Sequence, residues 1–205
     1  MSAPTRAPAA AVGFTVKSGW ASVVLLQAPD GEPAIADARR LELCDPSTPE
    51  ARQPYHAGFG TARSSGHALD QLVASVQNYA TRAAIALFAS YRARYTIAGA
   101  GLVVGSLIDP DTLTNPHIRI HALEGRLFRQ SIESGAQQSQ IATTTWRERD
   151  LYAHASSLLK RPEAALRTRV TALGRTVQGG WRAEHKAAAL AAWLVLHSPH
   201  HGRNG

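Results

Sequence analysis

The pattern of apolar and polar positions opens on a strand pair. Residues 12–26, VGFTVKSGWASVVLL, gather β-branched and apolar side chains (Val12, Phe14, Val16, Val23, Val24, Leu25, Leu26) around a break at Lys17, Ser18 and Gly19. That composition suits a pleated surface buried on at least one side, so the spacing predicts two strands joined by a tight turn. Pro29, Asp30, Gly31, Glu32 and Pro33 form the next turn signal. In 34–43, AIADARRLEL, Ile35, Asp37 and Arg39 alternate with small or apolar neighbours, as in a strand exposed on one side. Three strands with short connections make an antiparallel meander.

A connection of about twenty residues follows at 45–66, rich in Pro and Gly and carrying Gln53, Pro54, Tyr55 and His56. Connections that long are usually functional or mobile; the plainer expectation is a surface excursion with its aromatics tucked into the core. Across 67–94, Leu69, Leu72, Val73, Val76, Tyr79, Ala80, Ala83, Leu87 and Tyr91 recur at three- and four-residue spacing, which predicts one long helix. Residues 96–105, TIAGAGLVVG, are nearly all apolar, the mark of a central parallel strand covered on both faces. Asp109, Pro110 and Asp111 lie just past its carboxyl end, where open α/β sheets place ligands. Asn115 and Pro116 predict the cap and first turn of a helix running to about residue 134. A short strand at 141–146, helices at 147–159 and 162–173, a loop at 174–180 and a final helix at 181–197 complete the reading.

The fold class this order predicts is α/β: a mixed sheet in which the antiparallel three-strand meander is followed by β-α units, with helices on both faces. The 205 residues suit one domain, expected at 12–197 between a disordered arm at 1–11 and a flexible tail at 198–205. The apolar stretch at 187–196 is too short to cross a membrane and is flanked by His185, Lys186 and His197. Cys44 is the only cysteine, which excludes an internal disulfide or a cysteine zinc cluster and fits a reducing cytoplasm. The net charge of +7 changes the picture more, because it points to an anionic partner. RNA or DNA is the first expectation, an acidic protein partner or a homodimer the second, and no membrane.

Two short stretches add a resemblance. Residues 13–19, GFTVKSG, and 183–191, AEHKAAALA, together with the element order, resemble the ribonuclease H-like superfold and its Holliday-junction resolvase (RuvC-like) branch. The resemblance implies a first strand bearing an Asp, a final Ala/Leu helix bearing the last catalytic carboxylates, and two magnesium or manganese ions held between them. In this chain the first-strand acid falls at Thr15 or near Lys17, and the helix acids fall near His185 and at Ala188. Neither lysine nor alanine can hold magnesium, so the resemblance implies a fold whose standard metal site is dismantled.

Other candidates remain. His117, His121 and Glu124 stand at i, i+4 and i+7 and could converge on a transition metal; the plainer reading has Glu124 held by a nearby arginine among Arg119, Arg126 and Arg129. Asp109, Glu124 and Glu184, with His56, are the groups a relocated nuclease or phosphotransferase could use, with magnesium or manganese as cofactor. Thr15, Lys17 and Ser18 could bind a phosphate in the first turn, as the first hairpin of actin-like kinases, which share the superfold, does. Arg126, Arg147 and Arg149, the last two beside Trp146 and Tyr152, could stack on and neutralise a nucleic acid strand. Cys44 has no His–Asp partner nearby in sequence.

Overall fold

The computed structural model describes residues 7–58, 61–63 and 65–198. Residues 1–6 of the expected arm at 1–11, residues 199–205 of the expected tail, and Phe59, Gly60 and Ser64 of the long connection lie outside the described residues, while Ala9 to Ala11 of that arm are in a strand. In chain order the elements are β1 (Ala9–Lys17), β2 (Trp20–Gln27), β3 (Ala34–Glu42), β4 (His56–Gly58), β5 (Thr61–Ala62), α1 (His67–Arg92), β6 (Thr96–Val104), α2 (Pro116–Gln138), β7 (Thr143–Arg147), α3 (Leu151–Leu159), α4 (Glu163–Leu173) and α5 (Ala183–His197).

Five strands make one sheet in the order β3-β2-β1-β6-β7. The meander is antiparallel, while β6 runs parallel to both β1 and β7. β1 begins at Ala9, earlier than its β-branched residues suggest, because Ala9 and Ala10 pair with Thr96 and Ile97 and the Thr96 amide donates to the Pro8 carbonyl. Side-chain alternation then divides the core in two. Phe14, Val16, Val23 and Leu102 face α1 and α2, with Phe14 meeting Phe88 edge to face at 5.8 Å. Ala11, Val24, Leu26 and Val103 face α3, α4 and α5. No described helix is long and apolar enough to cross a membrane.

The long connection carries more structure than its composition suggests. It holds a 3-10 turn at Pro49–Arg52 and the small antiparallel β4–β5 ladder. Arg63 ties this ladder down, donating to the carbonyls of Pro54 at 3.0 Å and His56 at 3.2 Å. Tyr55 packs against the core, as the plainer expectation had it.

Helix α5 sits unusually close to the sheet. Gly13 and Gly101 are partners across β1 and β6, and together they open a trough. The α5 backbone fills it: a Cβ on Gly13 would overlap the Ala188 carbonyl oxygen, and one on Gly101 would lie 2.8 Å from that of Ala191. Five alanines between Ala187 and Ala192, interrupted only by Leu190, are buried in this helix.

On the other layer, the hydroxyl of buried Tyr91 donates to Asp37 Oδ2 at 2.5 Å and fastens α1 to β3. Burial and the neighbouring carboxylate push its pKa up. A hydrogen bond to a charged group is worth about 1.5–3 kcal/mol. Tyr91→Phe is therefore expected to lower stability by about 2 kcal/mol in urea denaturation, with the slope of the transition unchanged.

Candidate functional site

The carboxyl edge of the sheet is where this fold would place its chemistry. It is formed by the ends of β1, β6 and β7, at Lys17, Val104 and Arg147, with the start of α5 beside it. Thr15, at the implied acid position of the first strand, is 1% exposed, and its hydroxyl donates to the Glu184 carbonyl at 2.8 Å. Ala188 is fully buried against Gly13. His185 stacks on Trp181 and accepts from the Arg182 amide through Nδ1, and burial pulls its pKa down, toward the neutral ring. The place where a pair of divalent ions would sit thus offers a hydroxyl already donating, a methyl group and a neutral imidazole. Magnesium and manganese of the resolvase type need several carboxylate oxygens, so the residues present do not fit them.

The other edge acids are engaged singly. Asp109 caps the turn after β6 by accepting from the Asp111 amide, and the two carboxylates hold Arg126 at 3.3 and 3.4 Å. Asp111 also pairs with Arg119. The Glu184 side chain joins no described ion pair, and its backbone carbonyl receives Thr15. Among the basic candidates, Lys17 pairs with Glu148 at 3.4 Å, while Arg147 and Arg149 both reach Asp150. Arg167 lies over the Tyr152 ring at 3.7 Å. Together with Lys186, several of these side chains border a groove of about 490 Å³ between α3, α4 and α5. Cys44 is buried against the Gly19 carbonyl, and burial pushes its thiol pKa up.

One cluster does form. His56, His121 and Glu124 bring their ligating atoms within 4.8 Å of one another, the one such group of three among the described residues. His121 and Glu124 come from one face of α2, whose start is fixed by Asn115 accepting from the His117 and Ile118 amides. Asn115→Ala removes that cap and is expected to lower stability by about 1 kcal/mol, read as a shift of the thermal midpoint. His56 comes from β4, and its Nδ1 meets Glu124 Oε1 at 2.7 Å.

Glu124 is fully buried, and its second oxygen, Oε2, has no hydrogen-bond partner. Burial pushes its pKa up, opposed by the His56 contact and by looser hydrogen-bonding contacts from the Tyr55 backbone and the Ser18 side chain, neither in good geometry on Oε2. His121 is exposed, with its pKa pulled down by partial burial and by the neighbouring His117 and His56. It lines a second groove of about 310 Å³ with Lys17, Ser18, Gly105 and Ile108.

Two expectations change here. Glu124 is held by His56 and not by an arginine. Arg126 lies two residues along the helix, on another side, and turns to Asp109 and Asp111, while Arg129 pairs with Glu133 one turn on at 3.0 Å. The three-residue group also contains His56 in place of His117, whose ring stays outside it, 4.6 Å from that of His121. The sequence did carry a signal. Ile120, Glu124, Leu127 and Phe128 form one buried stripe, and a carboxylate on an apolar stripe calls for a partner from elsewhere in the fold.

No family model matches the chain, and no curated protein matches it in sequence. Solved structures do match. The Thermus thermophilus RuvC structure aligns with a TM-score of 0.56 at 5% identity, over 92% of this chain and 93% of that one. T. thermophilus RuvC in complex with Holliday junction substrate aligns with a TM-score of 0.52 at 9% identity, over 91% and 90%. The chain therefore has the ribonuclease H-like α/β fold and resembles the RuvC resolvases at the level of fold.

Proposed function

We propose that this chain is a nucleic-acid-binding domain that has kept the resolvase scaffold and given up two-cation phosphodiester chemistry. The observation that carries the reading is Thr15. Its hydroxyl is buried and bonded to the Glu184 carbonyl, so the implied acid position of β1 serves to fasten α5 to the sheet. Asp109 is spent on a turn and an arginine, and Glu124 on His56. Among the described residues, a nuclease built on relocated acids finds no group of three carboxylates to use. The single buried cysteine fits work in a reducing cytoplasm.

Binding rests on the charge of +7 and on where part of that charge sits. Lys17, Arg147, Arg149 and Lys186 rim the carboxyl edge, with Trp146 and Tyr152 beside them. The ion pairs of Lys17, Arg147 and Arg149 are surface pairs, worth about 0–1 kcal/mol each, so a phosphate can replace the carboxylate at little cost. The RuvC neighbour solved with a Holliday junction substrate makes a four-way junction the first probe.

Fluorescence anisotropy with labelled four-way, duplex and single-stranded DNA tests the reading. Affinity is expected to fall steeply with salt, by a log–log slope of about −3 to −4 for three or four phosphate contacts. The triple variant Arg147→Ala, Arg149→Ala, Lys186→Ala should weaken binding at least about tenfold and flatten that slope by about 2 to 3. No binding at about 50 mM salt, or binding indifferent to salt, overturns it.

One observation favours a second reading, a protein partner or a second copy of the chain. Leu107, Ile108 and Ile118 are 46–57% exposed, and Ile108 and Ile118 border the same groove. Sedimentation velocity that finds only monomer, together with tight DNA binding, leaves the nucleic-acid reading alone.

A further inference from the structure

We propose that His56, His121 and Glu124 form a binding site for a single zinc-type transition-metal dication, reached from the groove that His121 lines. This goes beyond the nucleic-acid reading and does not depend on it.

The donor set comes first. Two imidazoles and one carboxylate are ligands for first-row transition dications, whereas magnesium asks for oxygen alone. Three protein ligands also leave a fourth position for water or an anionic oxygen, the arrangement of reactive and not of closed structural zinc sites. Here the three ligating atoms already lie within 4.8 Å of one another without an ion.

The second observation is the orphaned oxygen. Glu124 is fully buried; Oε1 is paired with His56, and Oε2 has no partner in good hydrogen-bond geometry, the Tyr55 backbone and the Ser18 side chain offering its carboxyl only looser contacts. A bare His56–Glu124 hydrogen bond explains the first oxygen and leaves the second as a buried acceptor, a condition costing about 1–3 kcal/mol. A cation between the three side chains answers both oxygens. It would take the place of the proton shared at 2.7 Å, which leaves to solvent as the metal enters.

The third is charge. Arg119, Arg126 and Arg129 on the same helix would repel a dication if they stood unpaired. Each is already matched, Arg119 and Arg126 by Asp109 and Asp111, and Arg129 by Glu133. Lys17, on the groove wall, is matched by Glu148. The hairpin that presents His56 is held by Arg63 on the His56 carbonyl, so the imidazole is positioned before any ion arrives.

The test is a zinc titration of the full chain against a chromogenic chelator, with bound metal counted after dialysis. The wild type is expected to bind one tight zinc and to release protons in weakly buffered solution. His121→Ala removes an exposed side chain and leaves the packing intact, so it should fold and bind at least about 100-fold more weakly. His56→Ala should do the same, and Glu124→Gln serves only if it melts like the wild type. His67→Ala, at an exposed site on α1, should bind normally. The terminal His200 and His201 are checked by replacing both with alanine. Unchanged tight binding in folded His121→Ala, binding lost only with the terminal pair, or no zinc bound at all, overturns the proposal.

Discussion

Gly13→Ala is expected to melt the domain at temperatures where the wild type is folded. The added methyl would overlap the backbone carbonyl oxygen of Ala188, and a backbone atom in mid-helix has no rotamer to escape into. α5 must lift from β1, exposing parts of the buried run from Ala187 to Leu194. Overpacking costs about 1–3 kcal/mol where side chains can adjust; where they cannot, the loss is expected to exceed about 3 kcal/mol, a large share of the 5–15 kcal/mol that holds a typical domain. Gly125 is the internal control. It is exposed in α2, with nothing within 4 Å of a Cβ, so Gly125→Ala should be neutral or raise stability by up to about 1 kcal/mol. Urea midpoints for the two variants check both expectations in one series.

Thr15→Asp, which writes the resolvase acid back into β1, is expected to destabilise the protein in a pH-dependent way. The side chain is 1% exposed and faces the Glu184 carbonyl. An ionised carboxylate there meets another acceptor; a protonated one can donate to it, as the threonine does. The folded-state pKa of this Asp is therefore raised above its unfolded value of about 3.9. A raised pKa means that the folded state binds the extra proton. Stability is then best below about pH 4 and falls by about 1.4 kcal/mol per pH unit until the folded pKa is passed. The variant should be about 3 kcal/mol less stable than the wild type near pH 7, with the gap closing toward pH 4. A gap that does not change with pH would mean that the Asp turns out into water. Gain of magnesium-dependent cleavage would mean that the remaining edge acids can be recruited after all.

Much of this fold is legible because its information is local. The meander declares itself through Val12–Val16 and Val23–Leu26 in neighbouring strands, and Pro116 after Asn115 marks the start of α2 within a residue. The Gly13–Gly101 trough is half legible: both glycines stand out, but only the pairing of β1 with β6 shows that they are opposite one another. The β4–β5 ladder is hidden because His56, Ala57 and Gly58 show no alternation, and its hold comes from Arg63 on main-chain carbonyls. The candidate site divides the same way. The empty acid positions at Thr15 and Ala188 are readable by resemblance, residue by residue. The His56–Glu124 contact is not, because 68 residues separate the partners and no periodicity links a hairpin to a helix. Arg119 and Arg126 of α2 mislead for a related reason, since their partners Asp109 and Asp111 belong to the preceding turn.

The most direct test follows one labelled four-way junction through a magnesium titration, reading complex formation and strand integrity on the same samples. The account predicts a salt-sensitive complex that forms in EDTA without magnesium and only weakens as magnesium competes for the phosphates, with both strands intact throughout. Magnesium-dependent scission by the wild-type chain, or no complex in either condition at low salt, would contradict it.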